Sequence, residues 1–347
     1  MIQTDKQIPF LTAAVGGIGG IVRYELEDFR VTERPLYLPC GQGEHFYLRI
    51  TKRGLSTPDM VSHLASVFGV KAQCIGVAGF KDARAVTTQM VSVQGVPPDT
   101  IARLQPNDAI LAVEMLGRHR NRLRTGHHAG NHFALIVRHV NAAAAASVPA
   151  ILELLLSRGV PNYFGPQRQG RDGLNHEKGA ALLRDVKRRG RMPRQQRLWF
   201  LHAYQSFLFN QILAARIERI DRVLAGDWAM KHVNGACFHV ESAEIEQGRV
   251  DRFEISPTGP LFGSRAPWAS GEPGELERAV VAEVGETPES LSQAAAACGF
   301  RGERRPLRVR LEDLEWSLRG STLTLSFSLP PGAYATSVLR ELMKSET

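Results

Sequence analysis

The sequence has no apolar run long enough to cross a lipid bilayer. A membrane-spanning helix needs roughly 18 or more consecutive apolar residues, and no stretch of this chain approaches that length. The first ten residues, MIQTDKQIPF, carry Asp5 and Lys6 where a secretion signal would have its apolar core. We therefore expect a cytoplasmic protein with no membrane partner.

Cysteine is scarce, and its spacing argues against a disulfide framework or a zinc site. The four cysteines are Cys40, Cys74, Cys237 and Cys298. They lie far apart and form no CxxC pair. His239 and Glu241 form the HxE of a zinc deaminase, but the PCxxC that would complete such a site does not follow. Scattered reduced thiols are the expectation, and deamination is excluded.

Acidic residues are outnumbered by basic ones, 35 to 43, which gives a net charge of +8. The excess lies in two segments that are almost free of acids. The first contains Arg118, Arg120, Arg122 and Arg124. The second contains Arg184, Lys187, Arg188, Arg189, Arg191, Arg194 and Arg197, with Asp185 as its one acid. Arginine forks onto phosphate oxygens, so the two clusters favour a nucleic-acid partner over two solvated loops.

The chain changes character along its length. Its 347 residues suggest about two domains. Strand patterns dominate the ends, where apolar residues from Leu323 to Leu329 alternate with polar ones. The stretch from Arg158 to Arg197 is instead rich in Gly, Arg and Asn, and a long helix is predicted from about Trp199 to Ile220. This order predicts a second domain inserted into the first.

The best-defined elements surround one short loop. Residues 56–69 are predicted to form a helix capped by Thr57. Residues 74–80 are predicted as a buried strand and residues 85–95 as its partner strand. Further upstream, the glycines of GGIGG are followed by IVRYELED, which is typical of a strand and not of the helix that a dinucleotide loop requires.

The loop between those two strands, within GFKDARAVTTQ, holds Lys81, Asp82 and Arg84. An ordinary hairpin turn is one interpretation, because Asp and Lys are common in turns. A carboxylate at the lip of a sheet and close to cations is also suited to act as a nucleophile or base. The residues alone leave both interpretations open.

This segment resembles the diagnostic stretch G-x-K-D-x-x-A-x-T-x-Q of the TruD pseudouridine synthases. Every fixed position is filled, by Gly79, Lys81, Asp82, Ala85, Thr87 and Gln89. Further blocks in the family's order are EDFRVTERP (27–35), GQGEH (41–45), RHRNRLRTGHHAGNHF (118–133), PNYFGPQRQGRDGLN (161–175) and LPPGAYATSVLREL (329–342). One departure is Gln169, which stands where the family usually has Phe. The resemblance covers nearly the whole chain.

The resemblance implies conversion of uridine 13 of tRNA to pseudouridine, with no cofactor and no metal. Asp82 would be the nucleophile, acting at the uracil ring or at the sugar C1′, and Arg23 would pair with it. Lys81 would belong to the catalytic group or point towards a phosphate. The residues expected around the target nucleotide are Phe29, Asn131, Phe133 and Tyr334. Those expected on the RNA backbone are Arg118, Arg120, Arg122, Arg124, Arg188 and Arg189.

The implied fold is α+β. Residues 1–156 and 306–347 would form a catalytic domain with a mixed, mostly antiparallel sheet, and residues 157–305 an inserted α/β domain. The expected partner is tRNA, and no obligatory protein partner is evident. Two other function classes remain open on the residues alone: a non-catalytic RNA-binding protein, and a nucleobase glycosidase that cleaves without rejoining.

Overall fold

The structure, a computed structural model, describes residues 8–101, 104–170, 172–185 and 192–345. The chain folds into two compact units. The sheet unit comprises residues 18–146 and 311–335. The mixed unit comprises residues 1–17, 147–310 and 336–347. No helix in the described ranges has the length and apolar character that a membrane crossing demands.

The strands are numbered in chain order. Those of the sheet unit are β1 (Ile21–Val22), β2 (Phe29–Pro35), β3 (His45–Arg53), β4 (Ile75–Val77), β5 (Val86–Gln94), β6 (Ile110–His119), β7 (His128–Arg138), β14 (Glu312–Arg319) and β15 (Thr322–Leu329). Those of the mixed unit are β8 (Val160–Pro161), β9 (Trp228–Lys231), β10 (Cys237–His239), β11 (Ile255–Leu261), β12 (Glu303–Pro306) and β13 (Arg308–Val309).

The helices are numbered in the same way over the described residues. The sheet unit has α1 (Thr57–Phe68) and α2 (Pro98–Ile101). The mixed unit has α3 (Ser147–Arg158), α4 (Asn175–Arg184), α5 (Arg194–Ala215), α6 (Ala243–Asp251), α7 (Gly271–Glu283), α8 (Pro288–Ala297) and α9 (Ala335–Met343).

The described part of the sheet unit forms one nine-stranded sheet. Its main order is β14-β15-β7-β2-β5-β3-β6, while β1 pairs with β7 and β4 with β5. The pair β2–β5 is parallel, and the other pairs are antiparallel. The predicted mixed, mostly antiparallel sheet is therefore confirmed, as is the pairing of the two strands that flank the Asp82 loop.

Strand register sets which side chains share one face of this sheet, because side chains alternate along each strand. One row across five strands contains Lys52, Thr87, Val31, Phe133 and Phe327. In the next row, Glu33 lies opposite Asn131, and Asn131 lies opposite Leu329. Residues that are far apart in the chain thus meet on one face, beside the loop that joins β4 to β5.

Helix α1 covers part of that face. Its buried residues Met60, Leu64 and Phe68 pack against Leu48 and Ile50 of β3. Burial of an apolar side chain contributes roughly 1.5–3 kcal/mol, so this packing holds the start of α1 firmly over the sheet. The predicted helix is confirmed over most of its length.

The cap of α1 differs from the prediction. Ser56, and not Thr57, is the N-cap residue, and its hydroxyl accepts a hydrogen bond from the Asp59 N–H at 3.2 Å. Thr57 is the first residue inside the helix and is fully buried. Its hydroxyl is therefore available for another contact, described below.

The predicted strand from Ile21 to Asp28 is mostly wrong. Only Ile21 and Val22 pair with β7, and residues Leu26–Asp28 form a 3-10 turn. The reason is the backbone at Arg23, which has a φ of +59° and so leaves the extended conformation.

The described residues of the mixed unit form a four-stranded antiparallel sheet, ordered β10-β9-β11-β12, and a short β13–β8 pair. The long helix predicted from about Trp199 to Ile220 is α5, which begins and ends about five residues earlier. Tyr204, Phe209 and Leu213 of α5 are almost completely buried.

Candidate active site

Asp82 lies in the loop that joins β4 to β5. Its carboxylate is 54% exposed, and one oxygen accepts a hydrogen bond from Arg23 Nη2 at 2.7 Å. The predicted pairing of these two side chains is therefore present in the structure. A carboxylate that is oriented by a guanidinium and still open to solvent is suited to meet a substrate atom.

Arg23 reaches Asp82 because of its backbone conformation. It follows β1, and its φ of +59° turns the chain out of the sheet. Left-handed conformations of non-glycine residues are uncommon and cluster at functional sites. The guanidinium also lies 4.1 Å from the centre of the Phe29 ring, a favourable cation–π distance. Phe29 thus contacts the pair through Arg23.

Lys81 points away from the Asp82 carboxylate. Its ammonium lies 2.9 Å from a Glu33 carboxylate oxygen and donates a hydrogen bond to Asn131 Oδ1 at 2.8 Å. The side chains of Lys81 and Glu33 are only 5% and 1% exposed. A buried ammonium with these partners is not presented to a phosphate, and the catalytic role expected for Lys81 stays a prediction.

The backbone of the same loop is tied to α1 and β5. Thr57 Oγ1 accepts a hydrogen bond from the Lys81 N–H at 2.8 Å and donates one to Gln89 Oε1 at 3.1 Å. Gln89 Nε2 in turn donates to the Gly79 carbonyl at 3.4 Å. The motif already contained Gln89, but sequence reasoning missed Thr57, because a threonine at a helix start is typical of a cap.

Lys52 of β3 is a second residue that sequence reasoning missed. It is fully buried, and its Nζ donates hydrogen bonds to the carbonyl oxygens of Leu55 and, at 3.2 Å, of Asp82. Burial lowers the pKa of Lys52 to about 8, although the nearby Asp82 carboxylate opposes that shift. No local signal marks Lys52, because the stretch TKRG is typical of the exposed end of a strand.

Two of the predicted aromatic residues, Phe29 and Phe133, form a connected group with Phe327 on the same face of the sheet. The Phe29 and Phe133 rings meet edge to face at 6.4 Å, and Phe133 meets Phe327 at 5.6 Å. Phe29 and Phe133 are only 3% and 6% exposed. Tyr334 lies half-buried in the connection between β15 and α9. The base-holding roles of Phe29, Phe133 and Tyr334 stay predictions.

The arginine loop, defined as residues 118–127, starts with the last two residues of β6 and lies beside β4. Arg122 Nη2 donates to the Ile75 carbonyl at 2.6 Å, and the Gly126 N–H donates to the Ala78 carbonyl at 2.8 Å. The exposed arginines of this loop are Arg118, Arg120, Arg122 and Arg124. Within the described part of the chain, none of these four pairs with a carboxylate. The loop therefore presents positive charge close to the strand that leads to Asp82.

The second basic cluster is only partly described. Arg188 and Arg189, both predicted to contact the RNA backbone, lie outside the described residues, as do Lys187 and Arg191. Arg184 is described, and its guanidinium pairs with Glu286 at 2.9 Å. Its charge is thus partly neutralised within the mixed unit.

Possible metal ligands are scattered in the described ranges. There, no group of three or more His, Cys, Asp or Glu side chains is arranged to hold a metal ion. The four cysteines are present as free thiols.

Comparisons with known proteins identify a family across nearly the whole chain. Residues 7–190 and 186–342 match the model of a family described as tRNA pseudouridine synthase D (TruD). The chain is 43% identical to a tRNA pseudouridine synthase D of Thermus thermophilus, covering 100% of this chain and 95% of that protein. It is 40% identical to one of Geobacter metallireducens, covering 96% and 97% respectively.

A solved structure supports the same relationship. The crystal structure of a putative tRNA pseudouridine synthase D (TruD) from Methanosarcina mazei matches with a TM-score of 0.82 and 26% identity. The match covers 97% of this chain and 96% of that one. The predicted α+β fold is therefore confirmed.

Proposed function

Because this chain belongs to the tRNA pseudouridine synthase D (TruD) family, we propose that it converts uridine 13 of tRNA to pseudouridine with Asp82 as the nucleophile. The observation that carries the proposal is the Arg23–Asp82 pair. It combines an accessible carboxylate with a cation at 2.7 Å, on a loop that is held by the side chains of Lys52, Thr57 and Asn131.

The reaction is an isomerisation with no net change in composition. The bond between C1′ of the ribose and N1 of uracil breaks, and a bond between C1′ and C5 forms. The proton on C5 is lost, and N1 gains one. The Asp82 carboxylate serves by adding to the uracil ring or by attacking C1′, and both routes need it ionised. The Arg23 guanidinium favours that form, because an opposite charge within reach stabilises it.

The target nucleotide has to leave the RNA stack before a side chain can reach it. We assign Asn131 to recognition of the uracil edge. The Lys81 ammonium can only donate, so the Asn131 atom that faces it is Oδ1. This leaves Nδ2 as the donor of the side chain, suited to a uracil carbonyl oxygen. Tyr334, which is half-buried, would stack on the ring, as base–aromatic stacking contributes about 1–3 kcal/mol. Phe29 and Phe133, whose rings are almost completely buried, would support the site from below.

The arginine loop would contact the tRNA backbone. Phosphate contacts position an RNA and supply salt-dependent affinity, whereas contacts with the base carry the chemistry. The exposed arginines beside β4 suit the first task. We assign the same task to Arg188 and Arg189 on their sequence positions alone.

The domain division belongs to the proposal as well. We propose a catalytic domain of residues 1–156 and 306–347 and an inserted domain of residues 157–305. The compact units agree in separating the middle of the chain from the large sheet, but they group α3 and α9 with the mixed unit.

The decisive experiment compares the wild-type protein with Asp82→Asn on an unmodified tRNA transcript. Asparagine keeps the shape of the side chain but is not a nucleophile, so we expect pseudouridine formation to fall by at least about a thousandfold. Affinity for tRNA should stay within a few-fold, because one nucleotide makes few of the contacts. Pseudouridine mapping gives the position, and a transcript with cytidine at position 13 is the matched control.

Other products would identify the other function classes. Release of free uracil without pseudouridine would indicate a glycosidase. Tight binding with no change in the RNA would indicate a binding protein. Full activity of Asp82→Asn would show that another residue is the nucleophile.

A further inference from the structure

Lys52 is a cation in the interior of the sheet unit. It is 0% exposed, and no carboxylate of the described residues lies within 4 Å of its Nζ. A buried ammonium is costly unless its charge and its donors are used. The position is therefore informative, because an apolar side chain at the same point of β3 would simply extend the packing of Leu48 and Ile50.

The hydrogen bonds of Lys52 show how its donors are used. One runs to the carbonyl of Leu55, between β3 and α1, and the other to the carbonyl of Asp82 itself. Lys52 also lies opposite Thr87 in the register of β3 and β5, and Thr87 is the second residue of β5 after the loop. The rigid centre of the sheet is thus linked to the backbone of the residue that performs the chemistry.

We propose that Lys52 is a positioning residue for Asp82, which fixes the Asp82 backbone through its carbonyl and places a positive charge beneath the carboxylate. The inference rests on the proposed function, in which Asp82 is the nucleophile. Lys81 and Lys52 then both hold the Asp82 loop in place. Lys81 anchors its side of the loop to Glu33 and Asn131, and Lys52 anchors the backbone of Asp82 to β3.

The charge of Lys52 makes the positioning of Asp82 sensitive to pH. The charged groups that face it are Asp82 and Asp59, which favour the ammonium, and Lys81, which disfavours it. Its neighbours across β5 and β6, Thr87 and Ile110, are uncharged. With a pKa of about 8, Lys52 is an ammonium below pH 8 and loses its proton above it. The rate should therefore fall as the pH rises through about 8.

The test measures the single-turnover rate of pseudouridine formation from pH 6.5 to 9.5, together with tRNA affinity. Lys52→Met removes the charge and both hydrogen bonds at nearly constant volume. We expect a rate about a hundredfold lower, because small displacements of a reacting group have effects of that size. Its tRNA affinity should be unchanged within about twofold, and the alkaline fall near pH 8 should be absent.

Two further variants keep the result interpretable. Arg49→Met removes an exposed cation from the other face of the same strand, where it pairs with Glu114, and should leave the rate unchanged. Lys52→Arg keeps a charge that does not titrate in this range. It should recover part of the rate lost in Lys52→Met and should show no fall near pH 8. A fall that comes from ionisation of the uridine would persist in every variant.

Normal tRNA binding and thermal melting of Lys52→Met would show that the protein is folded. If it then reacts at the wild-type rate, or if all variants keep the same fall near pH 8, the inference is overturned. An inactive Asp82→Asn beside a fully active Lys52→Met would remove only the role of Lys52. An active Asp82→Asn would instead remove the proposed function.

Discussion

Two loops of the sheet unit adjoin β4 and are built in opposite ways. The loop around Asp82 is held through side chains, because Lys52, Thr57 and Asn131 all contact it. The arginine loop is held mainly through its backbone, by contacts such as the Leu123 N–H to Ser92 Oγ at 2.9 Å. Most of its guanidinium groups remain in solvent.

The difference follows from what each loop is proposed to do. A nucleophile has to stay within a fraction of an ångström of its target, so its loop needs many directional anchors. A phosphate contact depends mainly on charge and tolerates movement. Substitutions near Asp82 should therefore change the rate, and substitutions in the arginine loop should change the affinity.

After loss of Asp82, the largest effect on stability and rate is expected when the buried pair of Lys81 and Glu33 is broken. Lys81→Met leaves the Glu33 carboxylate buried without its cation, which should lower the free energy of unfolding by about 3–5 kcal/mol. The rate should fall with it, because Asn131 loses its partner. Denaturant unfolding and single-turnover rates measure the two effects.

The control for that pair is the double variant Lys81→Met with Glu33→Gln. It removes both charges, so the protein should be more stable than Lys81→Met alone. The rate should remain low, because the anchor is still missing. Equal stability of the single and double variants would show that the Glu33 charge is not what destabilises the protein.

The next effect is expected for Asn131. Asn131→Ala should lower the rate about a hundredfold with little change in tRNA affinity, because it removes the donor proposed for the uracil edge. Asn131→Asp still accepts from Lys81 but offers no donor, so it should be equally slow. If Asn131→Asp reacts normally, the Nδ2 group does not recognise the base.

Tyr334→Phe, which keeps the ring, should react like the wild type.

The smallest effect on the chemistry is expected in the arginine loop. Replacing Arg120 and Arg124 with Ala should weaken tRNA binding and flatten its dependence on salt. Each lost phosphate contact reduces the slope of log affinity against log salt by about 0.7–0.9, so the pair should reduce it by roughly twice that. The rate at saturating tRNA should stay close to wild type.

An unchanged salt slope would place the phosphate contacts elsewhere on the protein. A slower rate at saturation would show that the arginine loop also positions Asp82. The second outcome would break the division of roles between the two loops.

Part of the site could be predicted from the sequence because it lies in one contiguous motif. Lys81, Asp82 and Gln89 occur within GFKDARAVTTQ, which spans the loop and the start of the second of two strands whose apolar patterns are clear. The pairing of β4 with β5 follows from those patterns and the short loop between them. Arg23 was reached only through the family resemblance, and the predicted strand around it was wrong because its backbone turns at that residue.

The sequence by itself determined the family, the general fold and the place of Asp82 in its motif, since these depend on patterns that are local in the chain. Only the tertiary structure decided which partners the polar and charged side chains around the loop contact. It turned Lys81 towards Glu33 and Asn131, brought the Thr57 hydroxyl to the Lys81 backbone, and placed Lys52 beneath Asp82. These contacts join β2, β3, β7 and α1, whose residues lie about 24 to 50 positions from the loop. They depend on strand register and helix packing, which no local pattern encodes.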